Sequence, residues 1–317
     1  MYTFQDFMEH FKNCHYCMKT PESKAEAAIK EYFEGVSPER IHLITYKLKK
    51  DNIAIWDTAG SGKFDPFFHY VQFPYRKARA SAFHEFGHVV DLIHAEMYRK
   101  QISRNGWKTI YKSRYYSEEY ICSTGKTLHQ TVKEEVSSQV QTLYDMLMNA
   151  FKQEVLATFP ENIAKEYLLR YEMATTERTL SSKYQHSKNR ESAEMQAVHQ
   201  EQMRLSEILH ANKYFNSTQK VVQKSIAYKE FESKYGVLID MLSGFINITY
   251  LLSGHSPSYM KKGGFGNEFF AEMFSAETEN REDCLAITEQ YLPKSCTAYR
   301  ELLAKISADA HQESVVP

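Results

Sequence analysis

Long hydrophobic runs are absent from this 317-residue chain. No stretch of 18 apolar residues occurs, so no transmembrane helix is predicted, and the first residues lack the pattern of a signal peptide. Five cysteines, an odd number at irregular spacing, do not indicate a disulfide framework. The net charge of -1 gives no electrostatic reason to expect nucleic acid or a membrane as a partner. We therefore expect a cytoplasmic protein, with secretion as an effector by a non-classical route left open.

Glycine is also missing from residues 126–235, where Pro160 is the one proline. Such a stretch, rich in Glu, Lys, Gln, Leu, Met and Ala, predicts several helices. We expect an α+β fold in which a small mixed sheet and its helices are interrupted by a long, mostly helical insertion. The predicted segments are 1–35 (N-terminal helices), 36–105 (first half of the core), 106–235 (hairpin and helical insertion) and 236–317 (second half of the core).

The strands of the core are predicted from clusters of β-favouring residues. Residues 40–48 and 53–58 form two such clusters, and residues 67–73 form a third. A helix follows at about 76–100, and a hairpin is expected within 105–127. The intervening Gly-Ser-Gly-Lys at 60–63 does not have the glycine spacing of a phosphate-binding loop, so nucleotide binding is not predicted there.

The pattern H-E-x-x-H occurs at His84, Glu85 and His88, within AFHEFGHVVDLIH. Successive helical residues turn by about 100°, so both imidazoles can reach one ion, with Glu85 at the edge of the same site. Zinc lowers the pKa of a bound water toward about 7, and Glu85 can then act as the general base. The pattern also occurs by chance on helix surfaces, but the apolar neighbours of these residues indicate a buried helix. Buried polar groups need partners, which favours a metal site.

Two further residues of this stretch have different expected roles. His94 has the spacing of a third ligand, but Asp91 stands where that class of enzyme has a helix-breaking glycine. On a continuing helix His94 would face away from His84, so we expect a structural or rim role for it. Asp91 faces the histidines. We expect it to accept a hydrogen bond from the ring of His88 or, as an alternative, to bind zinc directly.

A third ligand is predicted far along the chain, in the segment NEFFAEMF at 267–274. Glu268 and Glu272 share one face of a helix that is otherwise apolar. Two like charges on a buried face are costly unless a cation compensates them. Zinc bound by Glu268, with Glu272 hydrogen-bonded to a ligating histidine, would compensate them. The alternative is the solvated face of a helix near the end of the chain.

These residues resemble a known family. HEFGHVVD at 84–91, followed by EFFAEMF at 268–274, resembles the gluzincin metallopeptidases, and within them the group of the anthrax lethal factor catalytic domain. This group includes secreted Pro-Pro endopeptidases and metallopeptidase-like domains of phage head proteins. GHSPSY at 254–259 resembles a G-H-S-x-x-Y segment of the phage-type members, and LIDMLSG at 238–244 resembles the helix before it. About 140 residues separate the two halves in this chain, and the compact members of the group lack such an intervening segment.

The resemblance implies a zincin-like fold with an active-site helix and a glutamate helix. It implies the same zinc ligands, His84, His88 and Glu268, with Glu85 as the base and Glu272 in support. Tyr259 would donate to the oxyanion of the tetrahedral intermediate, and His255 would help to orient it or the substrate. The strand within 67–73 would be the edge strand along which a peptide lies extended.

Three functions compete at this stage. The first is a zinc-dependent peptidase that acts on a protein or peptide. The second is an assembly or structural protein of a phage or mobile element that retains a metallopeptidase fold. The third is a regulatory peptidase that acts on a repressor, although no helix-turn-helix or basic surface is evident. The insertion at 106–235 is expected to form a lid or recognition lobe, or to be a structural elaboration. The substrate and the oligomeric state are not predicted.

Overall fold

The computed structural model describes residues 1–16, 22–58, 62–74, 79–103, 106–211, 213–246, 248, 252, 255, 259–260 and 264–313. It is mostly helical with a small mixed sheet, consistent with the α+β prediction at that level. The chain forms two compact units. The first consists of Met1–Ser138 and Lys262–Pro317, and the second is Gln139–Lys261. None of the described helices is both long enough and apolar enough to cross a membrane.

The chain begins with three helices, α1 (Phe4–Cys14), α2 (Glu22–Tyr32) and α3 (Pro38–Lys50). The prediction of a strand at 40–48 is wrong, because these residues lie within α3. The start of α3 carries helix signals: the Ser37 side chain accepts from the amide of Arg40, and Pro38 occupies the first turn. Every residue from His42 to Leu48 is buried. A short apolar run does not distinguish a buried helix from a strand.

Four strands form the mixed sheet: β1 (His15–Tyr16), β2 (Ala54–Thr58), β3 (Lys63–Asp65) and β4 (Tyr70–Pro74). Their order is β1-β2-β4-β3, with β3 antiparallel to β4 and the other pairs parallel. The strand at 53–58 was predicted. The strand expected at 67–73 starts only at Tyr70, because Asp65 Oδ1 accepts from the amides of Phe67 and Phe68 and holds a turn. The prediction of this strand as an edge strand is also wrong: β4 is paired on both sides, and β3 is the edge.

The H-E-x-x-H pattern lies on α4 (Arg79–Asp91), and the prediction that this helix continues to residue 100 is wrong. The chain instead enters β5 (Leu92–Ser103), which pairs with β6 (Gly106–Tyr115) as an antiparallel hairpin. Buried side chains hold this change of structure. Asp91 accepts from the amide of Ser117 at 2.8 Å and from its hydroxyl at 2.5 Å, and the ammonium of Lys47 donates to the carbonyl of Leu92. Residues 76–78 of the predicted helix lie outside the described residues.

After the hairpin come α5 (Tyr116–Glu119) and α6 (Leu128–Ser137), the latter opened by a capping box between Thr127 and Gln130. The second unit is built from helices, as the glycine-poor sequence predicts. These are α7 (Val140–Ala150), α8 (Glu161–His186), α9 (Ala193–Ala211), α10 (Lys213–Gln223) and α11 (Ile226–Ser243), with one π turn at Phe151–Val155 and one 3-10 turn at Leu156–Thr158.

The chain returns to the first unit with α12 (Phe265–Thr278), α13 (Glu282–Tyr291) and α14 (Pro293–Glu313). Helix α12 is anchored near both ends. A Cβ on Gly266 would lie 2.9 Å from Cβ of His129, so the first turn packs directly on α6. At the other end Glu277 accepts from Tyr299 at 2.9 Å and pairs with Arg40. These contacts fix α12 within the unit that also holds α4.

Candidate metal centre

Helix α4 has one face in the core and one face that carries the two histidines of the motif. Phe83 and Phe86 are fully buried on the core face. Phe86 meets Phe7 edge-on with a centroid distance of 5.9 Å, and Phe83 meets Phe33 at 5.4 Å. This aromatic packing fixes the rotation of α4 about its axis. His84 and the buried His88, four residues apart, consequently point to the same side.

Helix α12 crosses α4 at very close range on that side. A Cβ added to Gly87 would lie 2.7 Å from Cα of Ala271 and 3.1 Å from its carbonyl oxygen. Only a residue without a side chain allows this approach. Glu268, one turn before Ala271 on α12, is 1% exposed, and the close crossing brings its carboxylate to the histidines.

Three ligand atoms converge where the helices cross. Nε2 of His84 and Nε2 of His88 are 3.1 Å apart. Oε2 of Glu268 lies 3.3 Å from the first and 3.5 Å from the second. We call these three atoms the ligand triangle. The structure thus brings together the three residues predicted as zinc ligands from two segments about 180 residues apart in the chain.

The size of the ligand triangle suits one zinc ion. Zinc binds nitrogen and oxygen ligands at about 2.0–2.1 Å in tetrahedral geometry. Two ligands at that distance and at the tetrahedral angle are separated by about 3.3–3.5 Å. The observed sides of 3.1, 3.3 and 3.5 Å lie at or near this range. Two neutral imidazoles and one carboxylate also form a ligand set found in zinc enzymes.

Glu272 supports the triangle from behind His84. Its Oε1 is 3.0 Å from Nδ1 of His84. The contact does not have the geometry of a hydrogen bond, but a carboxylate beside this nitrogen favours a proton on Nδ1 and so leaves the lone pair of Nε2 for a metal. Burial lowers the pKa of His84, but the charges of Glu272 and Glu268 outweigh burial and hold that pKa well above its ordinary value. The site is therefore strongly attractive to cations.

Glu268 remains ionised in spite of its burial. Burial raises its pKa, but the neighbouring His88 and His84 outweigh this effect and hold the pKa well below the ordinary value. A buried carboxylate that keeps its charge needs a compensating partner. A bound cation would be such a partner.

Glu85, the predicted base, follows His84 on α4 and is partly exposed. Its side chain lies against the start of β3: a Cβ on Gly62 would be 2.7 Å from Cγ of Glu85 and 3.2 Å from its Oε1. The Glu85 side chain makes no hydrogen bond or ion pair with the described part of the chain. Gly62 belongs to the Gly-Ser-Gly-Lys stretch whose spacing does not predict nucleotide binding, and its lack of a side chain leaves room for this carboxylate.

Asp91 and His94 differ from what the sequence indicated. Both oxygens of Asp91 accept from Ser117, and the expected hydrogen bond from His88 does not occur among the described residues. Nδ1 of His88 is buried with no hydrogen-bond partner in that part of the chain. Nε2 of His94 is 2.8 Å from Oε1 of Glu96, on β5. His94 thus lies apart from the ligand triangle, as predicted. The reason differs from the predicted one: the chain has left the helix before His94, whereas the prediction assumed that the helix continues.

The residues suggested by the G-H-S-x-x-Y segment belong to the second unit. The His255 ring stacks on Tyr259 with centroids 4.5 Å apart, and Asp240 Oδ1 lies 2.8 Å from both the amide and Nδ1 of His255. Sequence reasoning missed the role of Asp240 in orienting this ring. Residues 254 and 256–258 of the segment lie outside the described residues.

Comparison of the chain with protein-family models, with curated proteins and with solved structures gives no match. The interpretation of the site therefore depends on its geometry and on the chemistry of its residues.

Proposed function

We propose that the chain is a zinc-dependent peptidase of the gluzincin type. The observation that carries this proposal is the ligand triangle, in which two imidazole nitrogens and a buried carboxylate oxygen are separated by 3.1–3.5 Å. His84, His88 and Glu268 would hold the ion. Two carboxylates, Glu268 and Glu272, surround the histidines, and their combined charge is matched by one divalent cation.

The proposed fold of the first unit is a zincin-like core. The mixed sheet β1–β4, the helix α4 that carries the histidines and the helix α12 that carries the glutamates are the parts that such a core requires. The order of these parts along the chain also agrees with the gluzincin resemblance. The sequence interval between α4 and α12 contains the hairpin and the helical second unit, which the compact members of that group lack.

The chemistry follows from the side chains around the triangle. When bound, zinc supplies a Lewis acid that activates water at neutral pH and polarises a carbonyl group. Glu85 takes the proton of the attacking water and passes it to the leaving amine nitrogen. Its partial exposure and its lack of an ion pair within the described residues leave it available for this role. Glu272, with Oε1 3.0 Å from Nδ1 of His84, would favour the tautomer that leaves Nε2 for the metal.

A peptide substrate would lie along β3. This strand is the edge next to α4, and its first neighbour Gly62 touches Glu85. An extended peptide paired with such an edge is held by its backbone, so its carbonyl groups follow a fixed path. Tyr259, stacked on a His255 ring that Asp240 orients, belongs to the second unit, and the resemblance alone suggests an oxyanion-donor role for it.

The test compares Glu85→Gln with wild type. We expect wild-type protein to contain about one equivalent of zinc by mass spectrometry and to cleave members of a proteome-derived peptide library. Glu85→Gln should retain the zinc and lose cleavage by about 10²–10⁴-fold, the usual contribution of a general base. Glu96→Gln, which removes a glutamate that is 56% exposed on β5, is the matched control and should cleave normally.

The outcomes separate the competing functions. Cleavage that survives in Glu85→Gln, or wild-type protein that takes up no zinc after loading, would refute the peptidase proposal. Zinc at full occupancy without any cleavage dependent on Glu85 would favour the assembly protein that retains a metallopeptidase fold. Cleavage confined to a DNA-binding repressor would identify the regulatory peptidase.

A further inference from the structure

A charged network extends from Glu272 away from the ligand triangle. Oε2 of Glu272, the oxygen not facing His84, is 3.9 Å from a terminal nitrogen of Arg281. Nε of Arg281 is 3.2 Å from Oε2 of Glu279. The Arg281 and Glu279 side chains are only 14% and 10% exposed, so their charges act on one another, and on Glu272, with little screening by solvent.

The backbone explains how Arg281 reaches Glu272, which lies nine residues earlier. Helix α12 ends at Thr278, and Asn280 follows with a φ of 54°. This left-handed residue reverses the chain, and the amide of Arg281 donates to the carbonyl of Ala276 at 2.9 Å. A residue in the left-handed conformation followed by such a bond is a Schellman-type helix end. It directs Arg281 back along α12 toward the metal centre.

We infer that Arg281 is a positioning residue for the proposed metal centre: it holds the Glu272 carboxylate beside His84, with Oε1 3.0 Å from Nδ1. This inference rests on the proposed function. The positive charge of Arg281 lies 3.9 Å from Oε2 of Glu272 and attracts that oxygen, which leaves Oε1 to face His84 and the imidazole to present Nε2 to a bound metal. Glu279 balances the charge of Arg281, so that the charge of Glu268 and Glu272 remains for the cation.

Arg281→Lys keeps a positive charge near Oε2 of Glu272 but replaces the planar, delocalised guanidinium with a point charge on a flexible stem. It should therefore preserve the effect of Arg281 on Glu272 only in part.

The experiment measures the zinc affinity of purified full-length protein by competition with a chromophoric chelator, and the melting temperature of the metal-free form by circular dichroism. Arg281→Gln should weaken zinc binding about tenfold, the lower end of the range for groups that support a ligand. Arg281→Lys should recover part of the loss. Arg300→Gln is the matched control, because Arg300 is 55% exposed and pairs with Glu289; its zinc affinity should equal wild type.

A double variant tests whether Arg281 acts through Glu272. Glu272→Gln should weaken zinc binding, and adding Arg281→Gln to it should cause no further loss. A merely structural role predicts instead that the two losses add and that the metal-free melting temperature falls with Arg281→Gln. If Arg281→Gln does not fold, the Arg281→Lys variant decides by the same measurement.

Each result has a defined consequence. If Arg281→Gln binds zinc as tightly as wild type while Glu272→Gln binds it more weakly, this inference is overturned and the proposed function remains intact. The same holds if the two losses of zinc affinity add in the double variant. Wild-type protein that binds no zinc overturns the proposed function and this inference together.

Discussion

Replacement of Gly87 by alanine tests the geometry of the metal centre without touching a ligand. The new Cβ would lie 2.7 Å from Cα, 3.1 Å from the carbonyl oxygen and 3.2 Å from Cβ of Ala271. Carbon atoms in contact prefer about 3.5–4.0 Å, so α4 and α12 must separate by about 1 Å. The 3.3 and 3.5 Å distances from Glu268 to the histidines then exceed 4 Å, beyond the separation of about 3.3–3.5 Å that two zinc ligands require.

The expected result is a loss of zinc affinity with a moderate change in stability. Zinc binding should weaken by more than the tenfold that follows changes behind a ligand, because here the proposed ligand Glu268 is itself displaced. Overpacking costs about 1–3 kcal/mol, whereas alanine for glycine within a helix gains about 1 kcal/mol. The metal-free protein should therefore lose at most about 2 kcal/mol in urea unfolding. Chelator competition reports the affinity.

Gly236 on α11 provides the matched control. A Cβ there would meet nothing within 4 Å, so Gly236→Ala should stabilise the protein by about 0.5–1 kcal/mol and leave zinc affinity unchanged. If Gly87→Ala binds zinc as tightly as wild type, the close crossing of α4 and α12 does not determine the ligand geometry and the reasoning is refuted.

Three further predictions concern neighbouring groups. The carboxylates hold the pKa of His84 well above its ordinary value, so protons compete with zinc for this residue. Zinc affinity measured from pH 6 to 9 should therefore still rise above pH 7. A plateau in zinc affinity above pH 7 would contradict this prediction. Burial raises the pKa of Asp91 to about 7 despite its bonds from Ser117. The folded form of the metal-free protein thus binds this proton more tightly than the unfolded form, and the stability it contributes is lost as pH rises from about 4 through 7. Asp91→Asn can keep both contacts with Ser117, so its urea stability should fall less between pH 5 and 8 than that of wild type, and an equal fall would exclude Asp91 as the source. His94→Ala should bind zinc with unchanged affinity by chelator competition, and a tenfold loss would restore His94 as a ligand candidate.

The sequence predicted which faces carry the site, because helical periodicity places His84 and His88 together and pairs Glu268 with Glu272. It did not predict the contacts that depend on distance between segments. The approach of α12 to Gly87, the position of Gly62 against Glu85 and the return of Arg281 toward Glu272 have no periodic signal. They become visible only when segments far apart in the chain are placed in space.

Two errors in the fold have specific physical causes. Residues 42–48 are all buried within α3, so burial there does not follow the one-sided pattern of an amphipathic helix. The helix end at Asp91 depends on Lys47 and Ser117, and both partners are distant in sequence. The local helix propensity of these residues does not predict that α4 ends there. The helix ends because buried side chains from distant segments form hydrogen bonds with the chain at Asp91 and Leu92.

The geometry at Glu268 also distinguishes a metal from the simplest alternative, in which protons on the histidines compensate the buried carboxylate. Hydrogen bonds between a charged nitrogen and a carboxylate oxygen are about 2.7–2.9 Å long. The two nitrogen–oxygen distances at Glu268 are 3.3 and 3.5 Å, too long for such bonds, whereas Glu272 approaches Nδ1 of His84 at 3.0 Å. Packing as close as that between Gly87 and Ala271 could have brought Glu268 nearer. The side chains instead stand at the spacing of ligands around one ion, and this spacing supports the proposal that a cation binds at the centre of the site.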